Sequence, residues 1–203
     1  MVGYGKNVGI VPMATNEIFA RIAANTDKCQ RYEVQFSMLE IYMEKVADLL
    51  QRDPNKKPSG GLKVREDKRT GVFVQGLSKV PVDSYAAIAK KMDEGYTARS
   101  IGATQMNQTS SRAHTVITIA FRQIREDDSK KTEKYSHIHL VDLAGSEKAG
   151  QTGAAGQRLK EGCAINQSLT TLGNVISVLA EKATGKGGGR VVPYRDSNLT
   201  RIL

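Results

Sequence analysis

Hydrophobic residues recur along this chain with two different periods, which predict where its helices and strands lie. Spacings of three to four residues indicate amphipathic helices, and alternating apolar residues indicate strands. Helices are expected at 16–24, 84–98 and 162–183, and strands at 32–42, 115–124 and 135–143, with a hairpin of 62–66 and 71–77. Loops or turns are expected at 51–61, 125–134 and 185–189. Interleaved helices and strands indicate an α/β or mixed layered domain.

The composition narrows the class of partner and leaves the function open. The 203 residues carry a formal net charge of +9, from 30 basic and 21 acidic residues. This balance favours an anionic partner: an acidic protein surface, nucleic acid or anionic lipid. Tryptophan is absent and aromatic residues are 5% of the chain, which disfavours a base-stacking surface. No apolar run reaches 18 residues, so no transmembrane segment is expected. Cys29 and Cys163 have neither a disulfide pattern nor metal-ligand spacing.

Residues 141–147 form the first motif with candidate chemistry, at the end of an apolar strand. Asp142 leaves the strand and Gly145 follows three residues later. A carboxylate at a strand end can hold Mg²⁺ directly or through water, and a glycine lets a backbone N–H approach a terminal phosphate. A plain strand-ending turn would use the same residue types, so this motif alone leaves both interpretations open.

The second motif covers residues 107–114, between a helix and a strand. Ser110, Ser111 and Arg112 place two adjacent hydroxyls next to a guanidinium group. Such a group can supply a Mg²⁺ ligand, hydrogen bonds to phosphate or water, and an ion pair. A polar turn with a serine cap is the alternative for this motif taken alone.

Together, the 107–114 motif followed about 30 residues later by the 141–147 motif resembles the two switches of kinesins. Further segments also match kinesin motifs in order, at 9–12, 39–42, 158–162, 165–176 and 193–201. The chain is therefore identified as a member of the kinesin motor-domain family. Segments 84–88, 92–99 and 168–173 are most similar to the kinesin-3 transport branch. The resemblance implies an α/β fold of the P-loop NTPase motor type, incomplete here, with a central mixed twisted sheet and helices on both faces.

The resemblance implies that ATP and Mg²⁺ bind at the two motifs. Ser111 would be a direct Mg²⁺ ligand and Asp142 would hold the metal through water. The implied nucleotide-binding set is Asn107, Ser110, Ser111, Asp142 and Gly145, with the N–H of Gly145 sensing the γ-phosphate and Ser110 lying beside the attacking water. Arg112 and Glu147 would form an ion pair that closes the switches and orients the water. An ordinary exposed ion pair is the alternative for those two residues.

The resemblance also implies a surface that binds the acidic tubulin of microtubules. Four residues match family positions that meet the track: Lys160, Tyr194, Arg195 and Arg201. Gln167 and Asn198 stand where lysine is common, so attachment is expected to be weaker. Lys182, Lys186 and Arg190 lie in or beside the glycine-rich loop, as either a sparse basic tether or a solvated linker.

Three histidines offer further candidate chemistry. His114 could act as a general base, but a structural role in holding the second motif's strand is favoured. His137 and His139 lie two residues apart and so share one face of a strand. They could form half of a metal site, although no third ligand is evident, so ordinary strand residues are favoured.

The 203 residues contain no Gly-x-x-x-x-Gly-Lys-Ser/Thr loop, which kinesins use to bind phosphate. We expect residues 1–203 to be a partial motor domain that begins just after that loop and ends within the helix after the track-contact segment. Alone, they are expected to be inactive, whereas the complete protein would be an ATP-driven microtubule motor in the cytoplasm and on the cytoskeleton. Oligomerisation would be set by other regions. The alternatives are a non-catalytic microtubule-binding module and, with little support, a nucleic-acid-binding domain.

Overall fold

The computed structural model describes residues 1, 3–4, 7–105, 112–127, 130–145, 157–185 and 188–203. The strands are β1 (Gly3–Tyr4), β2 (Asn7–Val8), β3 (Gln30–Tyr42), β4 (Lys45–Asp48), β5 (Val64–Asp67), β6 (Gly71–Val74), β7 (Val80–Pro81), β8 (His114–Asp127) and β9 (Lys130–Asp142). The helices are α1 (Ile10–Ala23), α2 (Tyr85–Gln105), α3 (Gln157–Ala183) and α4 (Asn198–Ile202), with 3₁₀ turns at Pro54–Lys56 and Tyr194–Asp196.

A central sheet in the order β4-β3-β8-β9 organises the molecule, with β7 also pairing with β3. Every pairing within the described part of this sheet is antiparallel. Two small hairpins, β1-β2 and β5-β6, lie outside it. Strand β8 pairs with β3 and β9 along nearly its whole length, so it forms the centre of the sheet.

The two faces of the central sheet bury different apolar side chains against different helices. Val34, Phe36 and Met38 of β3 alternate along the strand, and they form one core with residues of α1 and α2. Leu39 and Ile41 point to the opposite face and form a second core with residues of α3 and α4. This alternation follows from the two-residue period of a strand. Helices therefore cover both faces, as the resemblance implied.

The expected turn at 125–134 is too long. Strand β8 runs to Asp127 and strand β9 begins at Lys130, and their pairing reaches Asp127 opposite Lys130. Glu126 lies opposite Lys131 in the same ladder. Cross-strand pairs of opposite charge stabilise a ladder as apolar pairs do, so a charged segment can extend a hairpin into solvent without a core beneath it.

The other elements agree with the sequence in type and differ in length. Helix α1 begins at Ile10 rather than near Asn16, because Pro12 falls in its first turn, where proline costs no hydrogen bond. Helix α2 begins where predicted, and the Ser84 Oγ accepts a hydrogen bond from the Ala87 N–H at 3.3 Å, as an N-cap does. The helix then runs to Gln105, beyond the predicted end at 98.

Candidate functional site

The described ends of the two motifs meet at one end of the central sheet. Strand β8 begins at His114, the last residue of the 107–114 motif, and β9 ends at Asp142, in the 141–147 motif. Because the strands are antiparallel and Thr115 pairs with Asp142, residues 112–114 and 141–145 lie at the same end of the β8-β9 ladder. The structure therefore brings together the described parts of the segments that the sequence selected. Asn107, Ser110, Ser111 and Glu147 lie outside the described residues, so their contacts, including the Arg112–Glu147 pair, stay predictions.

Asp142 and Gly145 occupy positions open to a ligand. Asp142 is exposed at the end of its strand, and Gly145 is half-buried. The neighbouring Thr115 is fully buried, and its Oγ1 has no hydrogen-bond partner among the described residues. Thr115 pairs directly with Asp142 in the ladder, and directly opposite residues of a pair point to the same face of the sheet. Carboxylate oxygens are ligands that Mg²⁺ prefers, so the exposed Asp142 fits the magnesium-binding role that the resemblance implies.

A buried ion pair stabilises the start of β8, and the sequence did not reveal it. The Arg99 Nε of α2 lies 2.8 Å from the Glu40 Oε1 of β3, with side chains only 12% and 20% exposed. An Arg99 Nη2 also donates to the Ala113 carbonyl at 3.2 Å. Glu40 follows Val34, Phe36 and Met38 on the core-facing side of its strand. A charge at a core position predicts a buried partner, so the position of Glu40 signals that a partner exists but does not identify Arg99.

His114 lies at the junction of three segments. The Ala144 N–H donates to its Nδ1 at 3.0 Å, and its Nε2 lies 2.8 Å from the Ser168 Oγ of α3. The Ser168 hydroxyl in turn donates to the Ile165 carbonyl at 2.8 Å. Burial lowers the pKa of His114, while the negative charge of Glu44 acts in the opposite direction. The contacts fit the structural role that the sequence favoured for this histidine.

Tyr194, Arg195 and Arg201 lie together in the segment between α3 and the end of α4. Tyr194 is exposed, and Arg195 makes an ion pair with Glu66 of the β5-β6 hairpin at 2.9 Å. An Arg201 Nη2 donates to the Val64 carbonyl at 3.3 Å. The hairpin is thus part of the same surface, which the sequence did not show, and it lines a groove of about 690 Å³ with residues 191–196 and 200–203.

Asn198, which stands where lysine is common in the family, has a structural role that the sequence analysis did not predict. Its side-chain amide donates to the Glu44 carbonyl at 2.7 Å, and its backbone N–H donates to the Glu44 Oε2 at 2.6 Å. The Ser197 hydroxyl donates to the other carboxylate oxygen at 2.8 Å. Glu44 and Met43 form the β3-β4 turn with positive φ angles of 59° and 48°, a conformation that costs non-glycine residues energy. These three hydrogen bonds help to hold the strained turn against the start of α4.

The remaining basic candidates lie along α3 and its C-terminal loop. Lys160 belongs to α3, Gln167 is exposed on it, and Lys182 is exposed in its last turn. Arg190 makes an ion pair with Glu181 at 2.6 Å, with both side chains exposed. Lys186 lies outside the described residues. Because Arg190 has an acidic neighbour, part of its charge is offset locally, and both the tether and the linker interpretations stay open.

His137 and His139 stack with ring centroids 6.1 Å apart, and the Thr118 Oγ1 lies 2.9 Å from the His139 Nδ1. Burial, together with the neighbouring His137, lowers the pKa of His139. Within the described ranges, no three side chains of metal-binding type come together.

None of the described helices combines the length and the apolar character that crossing a bilayer requires.

Comparison with known proteins found a matching family model and several similar relatives. A family model described as the kinesin motor domain matches residues 1–203. The kinesin-like protein unc-104 of Caenorhabditis elegans is 54% identical over 200 residues, covering 97% of the chain and 12% of that protein. Kinesin-related protein 1 of Dictyostelium discoideum is 50% identical over 208 residues, covering 100% of the chain and 9% of that protein. The chain therefore spans about a tenth of these relatives.

A solved structure also matches the whole chain. It is described as a fast kinesin, with implications for ATPase mechanism and interactions with microtubules. It is 40% identical, with a TM-score of 0.85, and the match covers 100% of this chain and 55% of that one. This likeness confirms the predicted fold class. The similarity to unc-104 confirms the resemblance to the kinesin-3 branch.

Proposed function

Because the chain belongs to the kinesin motor-domain family, we propose that the protein containing it is a microtubule motor that couples ATP hydrolysis to movement. The observation that supports this proposal is that residues 112–114 and 141–145, the described parts of the two motifs, lie at one end of the β8-β9 ladder, with Asp142 exposed there. A site for phosphoryl transfer needs positioned charges and backbone donors more than covalent chemistry. That requirement matches the residue types at this sheet end.

We assign the nucleotide site residue by residue. Ser111 and Asp142 would hold Mg²⁺, which when bound neutralises charge on the phosphates. Ser110 positions the attacking water, and Asn107 contributes to the nucleotide-binding set. The Gly145 N–H donates to the γ-phosphate, so the 141–147 segment takes a different position when that phosphate is absent.

The 107–114 and 141–147 segments would close on one another through an ion pair between Arg112 and Glu147. Closing would bring the water-positioning groups together only when nucleotide is bound. The half-buried position of Arg112 just before β8 supports this role, because partial burial makes an ion pair less screened than one in solvent.

We assign track binding to the face built by α3, the 194–196 turn and α4. The residues proposed to contact tubulin are Lys160, Lys182, Lys186, Arg190, Tyr194, Arg195 and Arg201. The net charge of +9 supports an acidic partner and faster association through electrostatic steering. A protein with this partner would be found in the cytoplasm on microtubules, and neither a nucleic acid nor a membrane is proposed as a partner.

We further propose that residues 1–203 form part of a larger motor domain. Their coverage of 55% of a solved kinesin chain supports this. A polypeptide of residues 1–203 alone is expected to lack ATPase activity, because it carries no lysine-containing phosphate loop of the Gly-x-x-x-x-Gly-Lys-Ser/Thr type.

The test is microtubule-stimulated ATP hydrolysis by the full-length protein and by its Asp142→Asn variant. We expect the variant to lose about 100-fold in kcat, as is typical when one preorganised electrostatic group is removed. Asp127→Asn, at the opposite end of the same hairpin, is the matched control and should hydrolyse ATP at the wild-type rate. Microtubule binding without any ATP hydrolysis by the wild-type protein would favour the non-catalytic binding module and contradict the motor proposal.

A further inference from the structure

The imidazole of His114 joins three segments that otherwise have separate roles in the proposed motor. It begins β8, accepts a hydrogen bond from Ala144 of the 141–147 segment, and donates a hydrogen bond to Ser168 of α3. We propose that His114 is a positioning residue that transmits movement of the 141–147 segment to α3, and so couples the nucleotide site to the track-binding face. This inference rests on the proposed motor function.

The hydrogen bonds fix which nitrogen of His114 carries the proton. A backbone N–H can only donate, so the Nδ1 that faces Ala144 must be unprotonated. A neutral imidazole then carries its hydrogen on Nε2, which donates to the Ser168 Oγ. The Ser168 hydroxyl keeps its own hydrogen for the Ile165 carbonyl. The three bonds therefore run in one direction, from Ala144 through His114 and Ser168 to the backbone of α3.

Burial makes this connection stiff. His114 and Ser168 are each 2% exposed, and Ala144 is 6% exposed. Water therefore does not replace a broken bond, and an unmatched donor or acceptor here costs more than one at the surface. When Ala144 moves, the pair must either move with it or leave a buried polar group unsatisfied.

The position of His114 itself is fixed from the other side. Arg99 holds the Ala113 carbonyl next to it, and β8 pairs with β3 from His114 to Arg125. Ala144 lies beyond the end of β9, and Ser168 lies on α3. The sheet thus holds the backbone of His114, and the imidazole side chain is the part that links Ala144 to Ser168.

Three substitutions separate this role from simple packing. His114→Asn keeps an acceptor oxygen at the position of Nδ1 and removes the donor to Ser168. His114→Gln places an amide nitrogen where Nε2 lies and removes the acceptor for Ala144. Ser168→Ala deletes one hydroxyl and leaves the imidazole in place. His137→Asn, at an exposed histidine on β9, is the matched control.

The readout is microtubule affinity of the full-length protein in ADP and in a non-hydrolysable ATP analogue, measured by co-sedimentation. The wild-type protein should show a large ratio of the two Kd values. Each of the three variants should lower that ratio by about tenfold, the equivalent of one lost hydrogen bond between neutral groups, while nucleotide-free affinity changes little. The melting temperature should fall, because each variant leaves a buried polar group unsatisfied, so affinities are compared at a temperature where every variant is folded. The double variant His114→Asn with Ser168→Ala should lose no more than either single change.

A wild-type ratio retained by folded His114→Asn and Ser168→Ala variants would overturn the coupling role. A second measurement needs no variant: the ¹⁵N shifts of His114 in the wild-type protein at pH 7 should identify a neutral ring protonated on Nε2. A ring protonated on Nδ1 would also overturn the proposal. Wild-type protein that binds microtubules equally in both nucleotides would instead contradict the proposed motor function, and this result is visible before any variant is made.

Discussion

Replacing Arg99 with methionine tests how far a hidden ion pair stabilises the site. The change keeps the apolar stem of the side chain and deletes the guanidinium, which leaves Glu40 charged and four-fifths buried and the Ala113 carbonyl without this donor. Removing one partner of a fully buried pair costs about 3–5 kcal/mol. Because both side chains retain some exposure, we expect a loss of about 2–4 kcal/mol in the free energy of unfolding.

The assay is urea unfolding of the motor domain, followed by circular dichroism, with the midpoint compared at constant m value. Arg21→Met is the matched control, since Arg21 pairs with Glu17 at 2.7 Å but the two side chains are 80% and 62% exposed. Exposed pairs contribute about 1 kcal/mol at most. The double variant Arg99→Met with Glu40→Gln should recover part of the loss, because no uncompensated carboxylate remains.

An Arg99→Met variant no less stable than Arg21→Met would refute this reasoning. A double variant less stable than Arg99→Met alone would also contradict it, because the main cost is assigned to the unpaired Glu40 charge. In either case the start of β8 would be positioned by its pairing with β3 rather than by the ion pair.

Two further predictions concern the folded core. Burial lowers the pKa of His114 below its ordinary 6.5, so below about pH 6.5 the unfolded chain takes up a proton that the folded chain does not. The free energy of unfolding should therefore fall as the pH drops below about 6.5. The urea midpoints at pH 7.5 and 5.5 should differ less in the His114→Asn variant than in the wild-type protein. A Cβ at Gly95 of α2 would meet the buried Met38 Sδ at 2.5 Å, while one at the exposed Gly173 of α3 would meet nothing within 4 Å. Gly173→Ala should therefore stabilise the fold by about 1 kcal/mol, and Gly95→Ala should be less stable than Gly173→Ala by about 1–3 kcal/mol. Equal melting temperatures of the two variants would contradict the close packing at Gly95.

The sequence predicted the elements whose apolar pattern reflects burial. Strand β3 alternates because Phe36 and Met38 face one core and Leu39 and Ile41 face the other. The same reasoning failed at 125–127 and 130–134, since solvent-exposed ladders carry no apolar signal and their cross-strand charge pairs look like a polar turn. Local pattern therefore identifies strands only where the sheet has a core beneath it.

The candidate site likewise contains some residues that the sequence identified and others that it did not. The two motifs could be found from sequence because their residue types match phosphate and Mg²⁺ chemistry, and antiparallel pairing then brings them together at Thr115 and Asp142. Arg99 with Glu40, and Glu44 with Asn198, could not be found by local pattern because their partners lie 59 and 154 residues apart. Pairs this distant follow from the packing of helices on the sheet, which residue spacing does not specify.

The hidden contacts share one physical feature that bears on how the proposed motor would work. Arg99 holds Ala113, and Glu44 holds the first residues of α4, in each case from an element outside the motif it supports. Between these supports, Asp142 stays exposed and Gly145 only half-buried. A segment that must respond to one phosphate needs a rigid frame, because displacement spread over a compliant structure would not reach a distant face. In the proposed motor, His114 would pass a displacement of Ala144 on to α3. Coupling of the nucleotide site to the track-binding face would therefore require both a rigid support at Arg99 and a displacement at Ala144.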